Sequence, residues 1–138
     1  MERFRILEHP ADIGFEASGS TREEVFANAA RALFHLMLDP ATIEPRTEVA
    51  VQVEGADPAS LMVNWLAELL YLNDAEGWLF SEFEVERLDD RSLTARARGE
   101  KFDRTRHRAK LQVKAITYHQ LQLVKTAEGW QARVFVDI

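Results

Sequence analysis

The sequence predicts an α+β fold: a single domain, residues 1–138, in which two helices pack on a largely antiparallel β-sheet. Two segments repeat apolar residues at three- and four-residue spacing, which is the period of amphipathic helices. Most other segments alternate apolar and polar residues, which is the period of strands with one buried face. The 138 residues suffice for one hydrophobic core and are too few for two ordinary domains.

The first third of the chain predicts two strands followed by a helix. Apolar residues alternate over residues 4–6 and again over 13–17, with a loop over 9–12 between them. Residues 20–23 (Ser-Thr-Arg-Glu) form a capping-box pattern, in which Ser20 caps the Glu23 amide. The apolar stripe over residues 25–37 then predicts the first helix.

The middle of the chain predicts a strand and a second helix. Residues 49–53 alternate valine with polar or small residues, as a half-buried strand does. Asp57 is the expected N-cap of the helix and Pro58 its first turn, and the helix ends at Gly77. Because this helix is the more strongly apolar of the two, we expect it to be the central one.

The remaining chain is strand-like. The predicted strands cover residues 83–85, 93–97, 113–118, 121–123 and 130–138. In the last strand, Trp130, Val134 and Ile138 share one apolar face, which we expect to meet the core. Asp137 lies on the opposite face at the strand's end, so its charge is expected at the rim of the sheet.

Composition is that of a globular protein, with 46% hydrophobic and 29% charged residues. No apolar run approaches the ~20 residues that a membrane-spanning helix needs, and the first residues lack the apolar core of a secretory signal. The absence of cysteine excludes a disulfide framework, a thiolate nucleophile and a Cys-rich zinc site. We therefore expect a cytoplasmic protein with no membrane association.

Charge is unevenly distributed. The net charge of −6 argues against a protein that grips nucleic acid with its whole surface. Residues 96–114, however, hold eight basic residues against two acidic ones. This basic window is either ordinary solvated surface or a patch for an acidic partner surface or RNA phosphate.

Carboxylates near the two ends of the chain form a candidate metal site. Asp12 stands in the loop sequence His-Pro-Ala-Asp-Ile-Gly (9–14), and Asp137 precedes Ile138. If these ends meet, two aspartates and the α-carboxylate of Ile138 converge, and three carboxylates repel one another unless a proton or a cation neutralises them. Oxygen-only ligands suit Ca²⁺ or Mg²⁺ rather than zinc. A tight loop and a solvated chain end are the alternative interpretation.

The sequence contains no motif for phosphate binding, dinucleotide binding, nucleophilic catalysis or zinc binding. There is no phosphate-binding loop, dinucleotide-binding turn or nucleophile elbow, and the four histidines lack zinc-ligand spacing. We therefore predict no catalytic residue and no organic cofactor site. Lys114, Tyr118 and His119 are open to two interpretations, a functional cluster or the exterior of a strand.

Several motifs, in order, resemble the archease family. They are His-Pro-Ala-Asp-Ile-Gly (9–14), Trp-Leu-Ala-Glu-Leu-Leu-Tyr-Leu (65–72), Phe-Ser-Glu-Phe (80–83), Gly-Glu-Lys-Phe-Asp (99–103), Val-Lys-Ala-Ile-Thr-Tyr-His (113–119) and Asp-Ile (137–138). Each motif is weak alone, but together they span almost the whole chain. Two residues depart from the family pattern: Pro10 stands where Thr is usual, and Gln112 where an acidic residue is frequent.

The resemblance implies a function. Archeases serve the GTP-dependent tRNA-splicing RNA ligase, which joins RNA ends through a guanylylated histidine, in tRNA splicing and RNA repair. The family implies a non-enzymatic activator that promotes guanylylation and multiple turnover, meets RNA only through the ligase, and holds a divalent cation, Ca²⁺ or Mg²⁺, with Asp12, Asp137 and Ile138. Two alternatives stay open: a stand-alone metal-dependent hydrolase, and a general protein chaperone.

Overall fold

Two helices and eight strands make up the described part of the chain. This computed structural model describes residues 2–9 and 12–138, with the backbone alone at His9 and Asp12. Pro10 and Ala11 of the predicted loop lie outside the described residues. The elements are β1 (Phe4–His9), β2 (Asp12–Gly19), α1 (Arg22–Met37), a 3₁₀ helix (Pro40–Thr42), β3 (Thr47–Glu54), α2 (Pro58–Glu76), β4 (Trp78–Leu88), β5 (Ser92–Lys101), β6 (Ala115–Ile116), β7 (Gln122–Thr126) and β8 (Gly129–Asp137).

The strands form two antiparallel sheets. The order of the five-stranded sheet is β1-β2-β8-β6, and β7 also pairs with β8. The three-stranded sheet has the order β3-β5-β4. Both helices contact strands of both sheets. The predicted α+β architecture is therefore confirmed, and the structure adds that the strands divide into two sheets around the helices.

Helix α1 is the more deeply buried of the two helices. Its buried residues surround the helix and include four alanines, and it packs against β2 of one sheet and β4 of the other. Helix α2 keeps an exposed stripe that includes Asn64, Ala67 and Tyr71. The expectation that α2 is central is therefore wrong. Small side chains let α1 approach both sheets, although its sequence is less apolar.

The N-terminus of α1 is capped one residue later than the sequence predicts. Thr21 is the N-cap, and its hydroxyl accepts a hydrogen bond from the Glu24 amide at 3.1 Å. The Glu24 carboxylate accepts two bonds at 2.8 Å from Ser20, one from the amide and one from the hydroxyl. The predicted Ser20–Glu23 pair is wrong because Glu24, not Glu23, reaches back to satisfy Ser20.

Helix α2 begins and ends as predicted. The Asp57 carboxylate accepts a bond from the Ser60 amide at 2.8 Å, and Gly77 ends the helix at φ +76°, a conformation that glycine adopts without strain. The buried indole N–H of Trp65 donates to the Phe26 carbonyl of α1 at 2.9 Å and joins the two helices. Among the described residues, neither helix has the length and apolar character that crossing a membrane requires.

Strand β8 has the predicted core face, but its alternation fails at Phe135, which is buried on the opposite face, and at the strand's end. Ala132, Val134 and Val136 are buried in the core, and Asp137 is exposed at the rim. Ile138 was expected on the core face but is 54% exposed, because strand pairing stops at Asp137. The predicted strand over residues 113–118 is also shorter than expected, since only Ala115–Ile116 pairs.

Phe34 provides a test of how strongly α1 supports the fold. Its ring is buried and lies 5.8 Å from the rings of Phe80 and Phe83 on β4. We expect Phe34→Ala to lower the free energy of unfolding by about 3–5 kcal/mol, the range for deleting a buried aromatic side chain. The control, Tyr71→Ala on the exposed stripe of α2, should cost less than about 0.5 kcal/mol. Equal losses in urea unfolding would show that α1 is not the packing centre.

Candidate functional site at the rim of the five-stranded sheet

The register of β2 against β8 decides where the predicted ligands lie. Ile13 pairs with Val136 in this antiparallel ladder. The next residue outward is Asp12 on β2 and Asp137 on β8, so the two aspartates stand at the same end of neighbouring strands. We call the positions of Asp12, Asp137 and Ile138 the acidic rim.

Strand β8 is held on both edges close to the rim. On the edge away from β2, Ala115 pairs with Asp137, and the Lys114 amide donates to the Asp137 carbonyl at 2.8 Å. Val136, one residue earlier, is buried in the core. The Asp137 side chain is exposed and forms no hydrogen bond or ion pair with the residues that the structure describes. Its backbone is therefore fixed, while its carboxylate faces solvent.

Gly14 is explained by packing on the outer face of the sheet. A Cβ at this position would lie 2.3 Å from the Val134 carbonyl and 2.8 Å from the ring of Phe135. Phe135 is buried, and the His119 ring lies edge-on to it at 5.7 Å between centroids. Thr117 donates to the Phe135 carbonyl through its amide at 3.1 Å and its hydroxyl at 2.9 Å. The segment around Thr117 thus runs along β8 next to the rim.

The sequence did not decide whether Lys114, Tyr118 and His119 form a functional cluster, and in the structure these residues differ in their surroundings. Lys114 is exposed next to the rim, Tyr118 is 60% exposed, and His119 packs on Phe135. Among the described side chains, no three histidine or acidic groups lie close enough together to hold a metal ion. The side chain of Asp12 is outside the description, so the predicted ligand set stays a prediction.

Four of the eight basic side chains of the window have partners within the protein. Arg96 pairs with Glu48 and with Glu86, and Arg98 pairs with Glu48 at 2.9 Å. Arg106 pairs with Glu100. The Lys101 ammonium donates to the Glu76 carbonyl at 2.8 Å and lies 4.7 Å from the centre of the Trp78 ring.

The other half of the window is different. Arg104, Arg108, Lys110 and Lys114 are exposed, and their side chains make no hydrogen bond or ion pair with any described residue. We call these four the unpaired basic group. All four lie on the segment 102–114, which connects β5 to β6. The sequence predicted a single basic window over residues 96–114. In the structure, the basic side chains of this window without a described partner all lie on the segment 102–114.

A buried polar network anchors the start of that segment. Glu100 is 7% exposed and accepts hydrogen bonds from Arg106, from the Glu44 amide at 2.8 Å and from Nε2 of His107 at 2.9 Å. Nδ1 of His107 accepts from the Asp103 amide at 2.9 Å, so Nε2 is the nitrogen that donates to Glu100. The Arg106 hydrogen bond is the main reason that the pKa of Glu100 falls from 4.5 to about 2.

The fold and its rim define a small two-sheet α+β domain that exposes the Asp137 carboxylate at the end of β8, beside a basic connecting segment. Residues 4–138 match the Archease protein family (MTH1598/TM1083). The chain belongs to this family. It is 43% identical to "Protein archease" of Methanosarcina barkeri, over 99% of this chain and 97% of that protein. It is 42% identical to "Protein archease" of Pyrococcus furiosus over the full length of both.

Two solved structures share the fold. The solution structure of Methanobacterium thermoautotrophicum protein 1598 is 38% identical, covers all of both chains and superposes with a TM-score of 0.85. The crystal structure of a Thermotoga maritima archease, described as a possible chaperone, is 20% identical, covers 96% of this chain and 94% of its own, and has a TM-score of 0.63. At that identity the second likeness shows the fold alone.

The buried network makes stability depend on pH in a defined range. Because the pKa of Glu100 is lower in the fold than the ordinary 4.5, its charge stabilises the fold above about pH 4.5. That contribution is lost as pH falls toward about 2. We expect Glu100→Gln to be less stable than the parent at neutral pH, by an amount that stays constant down to about pH 5 and then narrows. Urea unfolding between about pH 2 and 7 measures this difference.

Glu128→Gln is the matched control, because Glu128 is an exposed turn residue with no described partner. Its stability difference from the parent should be small at every pH. A Glu100→Gln difference that does not change with pH would contradict the assigned role of the carboxylate.

Proposed function

We propose that this chain is a non-enzymatic activator of the GTP-dependent tRNA-splicing RNA ligase. It promotes guanylylation of the ligase and multiple turnover, in tRNA splicing and RNA repair in the cytoplasm. The observation that carries this proposal is the match of residues 4–138 to the archease family, with relatives above 40% identity over the full length. An acidic protein of net charge −6 that meets RNA only through its partner fits this role.

We further propose that the acidic rim holds a divalent cation, Ca²⁺ or Mg²⁺. Two observations support this: β2 and β8 are paired so that Asp12 and Asp137 end neighbouring strands, and the Asp137 carboxylate has no partner among the described residues. The donor set of two aspartates and the main-chain carboxylate of Ile138 is all oxygen, which hard cations prefer. When bound, the ion offsets the repulsion among these groups and supplies positive charge for phosphate oxygens.

The residues around the rim have positioning roles in this proposal. The Lys114 amide holds the Asp137 carbonyl, and the buried side chain of Val136 ties the strand to the core. On β8 the backbone is therefore held in place while the Asp137 carboxylate is exposed, as a surface that enters a partner's active-site mouth requires.

A turnover assay separates this function from the alternatives. With purified ligase, GTP and an RNA carrying a 2′,3′-cyclic phosphate, an activator raises guanylylation and ligation far above the ligase alone. A stand-alone hydrolase would act on phosphate esters without the ligase. A general chaperone, the role suggested by the description of the Thermotoga maritima protein, would rescue unrelated unfolded proteins as well as it stimulates the ligase.

The two aspartates give the most direct test of the rim. Asp12→Asn and Asp137→Asn each remove one negative charge while keeping the side-chain shape. We expect either substitution to abolish ligase activation and leave the fold intact, because the cation loses a charged ligand. The measurements are ligase guanylylation rate and thermal unfolding without metal. Unchanged guanylylation with both variants would refute the ligand assignment.

The main-chain carboxylate of Ile138 can be tested by extension of the chain. Two added glycines move that carboxylate by roughly 7 Å, at about 3.5 Å per residue. Divalent-ion affinity and ligase activation should both fall, while thermal stability without metal changes little because Ile138 is already exposed. Calorimetric titration with Ca²⁺ and with Mg²⁺ measures the affinity.

The control for this extension carries two glycines at the N-terminus, because any added residue can obstruct docking. If the C-terminally extended protein binds the ion and activates the ligase as well as this control does, Ile138 is not a ligand.

A further inference from the structure

A cleft of about 390 Å³ lies where both helices end and the segment 102–114 crosses between the two sheets. Its lining is mainly apolar and includes Met37 and Leu38 at the end of α1, Leu79 on β4, and Phe102 and Val113 of the segment. The Phe102 side chain is 48% exposed, a large exposure for an aromatic residue. A volume of this size accommodates one or two apolar side chains of a partner.

The unpaired basic group stands beside this cleft. Ala109 lines the cleft between Arg108 and Lys110, and the Lys110 amide donates to the Met37 carbonyl at 2.8 Å, which fastens the segment to α1. Arg104 follows two residues after Phe102. Positive charge without a described partner therefore stands next to residues that line an apolar depression, although the protein as a whole is acidic.

We infer that this cleft and the unpaired basic group dock an acidic segment of the ligase, which inserts an apolar side chain into the cleft. The inference rests on the proposed function, because the ligase is taken as the partner. Complementary charge on such a segment pairs with Arg104, Arg108 and Lys110, and it mainly accelerates and orients association. The apolar anchor supplies the slow dissociation.

The cleft favours a protein segment over RNA. Asp74 lines it together with Asn73 and Gly77 at the C-terminal end of α2. A helix C-terminus carries partial negative charge, and a carboxylate adds to it, so both disfavour a phosphate inside the cleft. An apolar side chain flanked by acidic residues avoids this repulsion.

The segment 102–114 connects the cleft to the acidic rim. Val113 lines the cleft, and the next residue, Lys114, is hydrogen-bonded through its amide to Asp137. A ligase that receives the rim at its active site therefore meets the segment that also lines the cleft.

Filling the cleft tests the apolar part of the inference. Ala109→Trp places a large side chain into the cleft from an exposed position, so the core is not disturbed. Ala127→Trp is the matched control, because Ala127 is also exposed and lies in the turn between β7 and β8. We expect Ala109→Trp to raise the Kd for the full-length ligase at least about tenfold and the control to leave it unchanged.

Charge reversal tests the electrostatic part. The triple variant Arg104→Glu, Arg108→Glu and Lys110→Glu should bind the ligase at least about tenfold more weakly and lose most of the salt dependence of its association rate. The control triple is Arg87→Glu, Arg91→Glu and Lys125→Glu, three exposed residues whose side chains have no described partner. It makes the same change in net charge, so it separates a local effect from a global one.

The outcomes distinguish this inference from the function on which it rests. If the parent protein binds and activates the ligase but the cleft-filling and charge-reversal variants bind as the parent does, the docking surface is wrong and the proposed function stands. If the parent protein neither binds nor activates the ligase, the proposed function and the docking surface are both wrong. A third outcome would overturn the inference. If the parent protein binds a short single-stranded RNA in the absence of the ligase, and the charge-reversal variant loses this RNA binding but still binds the ligase, the segment is an RNA-binding surface.

Discussion

The antiparallel pairing of β2 with β8 holds together two parts of the chain that are more than a hundred residues apart in sequence. Because β8 has β2 on one edge and β6 and β7 on the other, its backbone is hydrogen-bonded on both sides. Gly14 allows the close approach of Phe135, which seals the outer face of this pair. The acidic rim exists only because this register brings the outer ends of both strands side by side.

The sequence was sufficient to predict the elements but not their arrangement. Periodicity predicted both helices and most strands, because burial on one face leaves a local pattern. Which strands pair with which leaves no such pattern, so the division into two sheets could not be foreseen. The helix nearest the centre was also misjudged: apolar content favoured α2, whereas the alanines of α1 allow two sheets to approach it.

The exposure of Asp137 at the rim was predictable from the sequence, whereas the surroundings of the rim were less so. The alternation of apolar and polar residues along β8 predicted that Asp137 is exposed. Ile138 was predicted on the core face but is exposed, because strand pairing ends at Asp137. The pairing of Arg96 with Glu86 had a signal in the sequence, since alternating glutamates and arginines stand on the two strands of the predicted hairpin. The burial of Glu100 against His107 had none, because it depends on how the segment 102–114 folds back.

An interior position for β8 has a consequence for the order of folding. The three-stranded sheet and both helices are complete in sequence before β8 begins, so they can form while the chain is still leaving the ribosome. The five-stranded sheet cannot close until β8 emerges, and until then β2 has an unpaired edge on the nascent chain. The outer ends of β2 and β8 are therefore brought side by side only after β8 has been synthesised, so a chain that stops before β8 cannot form the acidic rim.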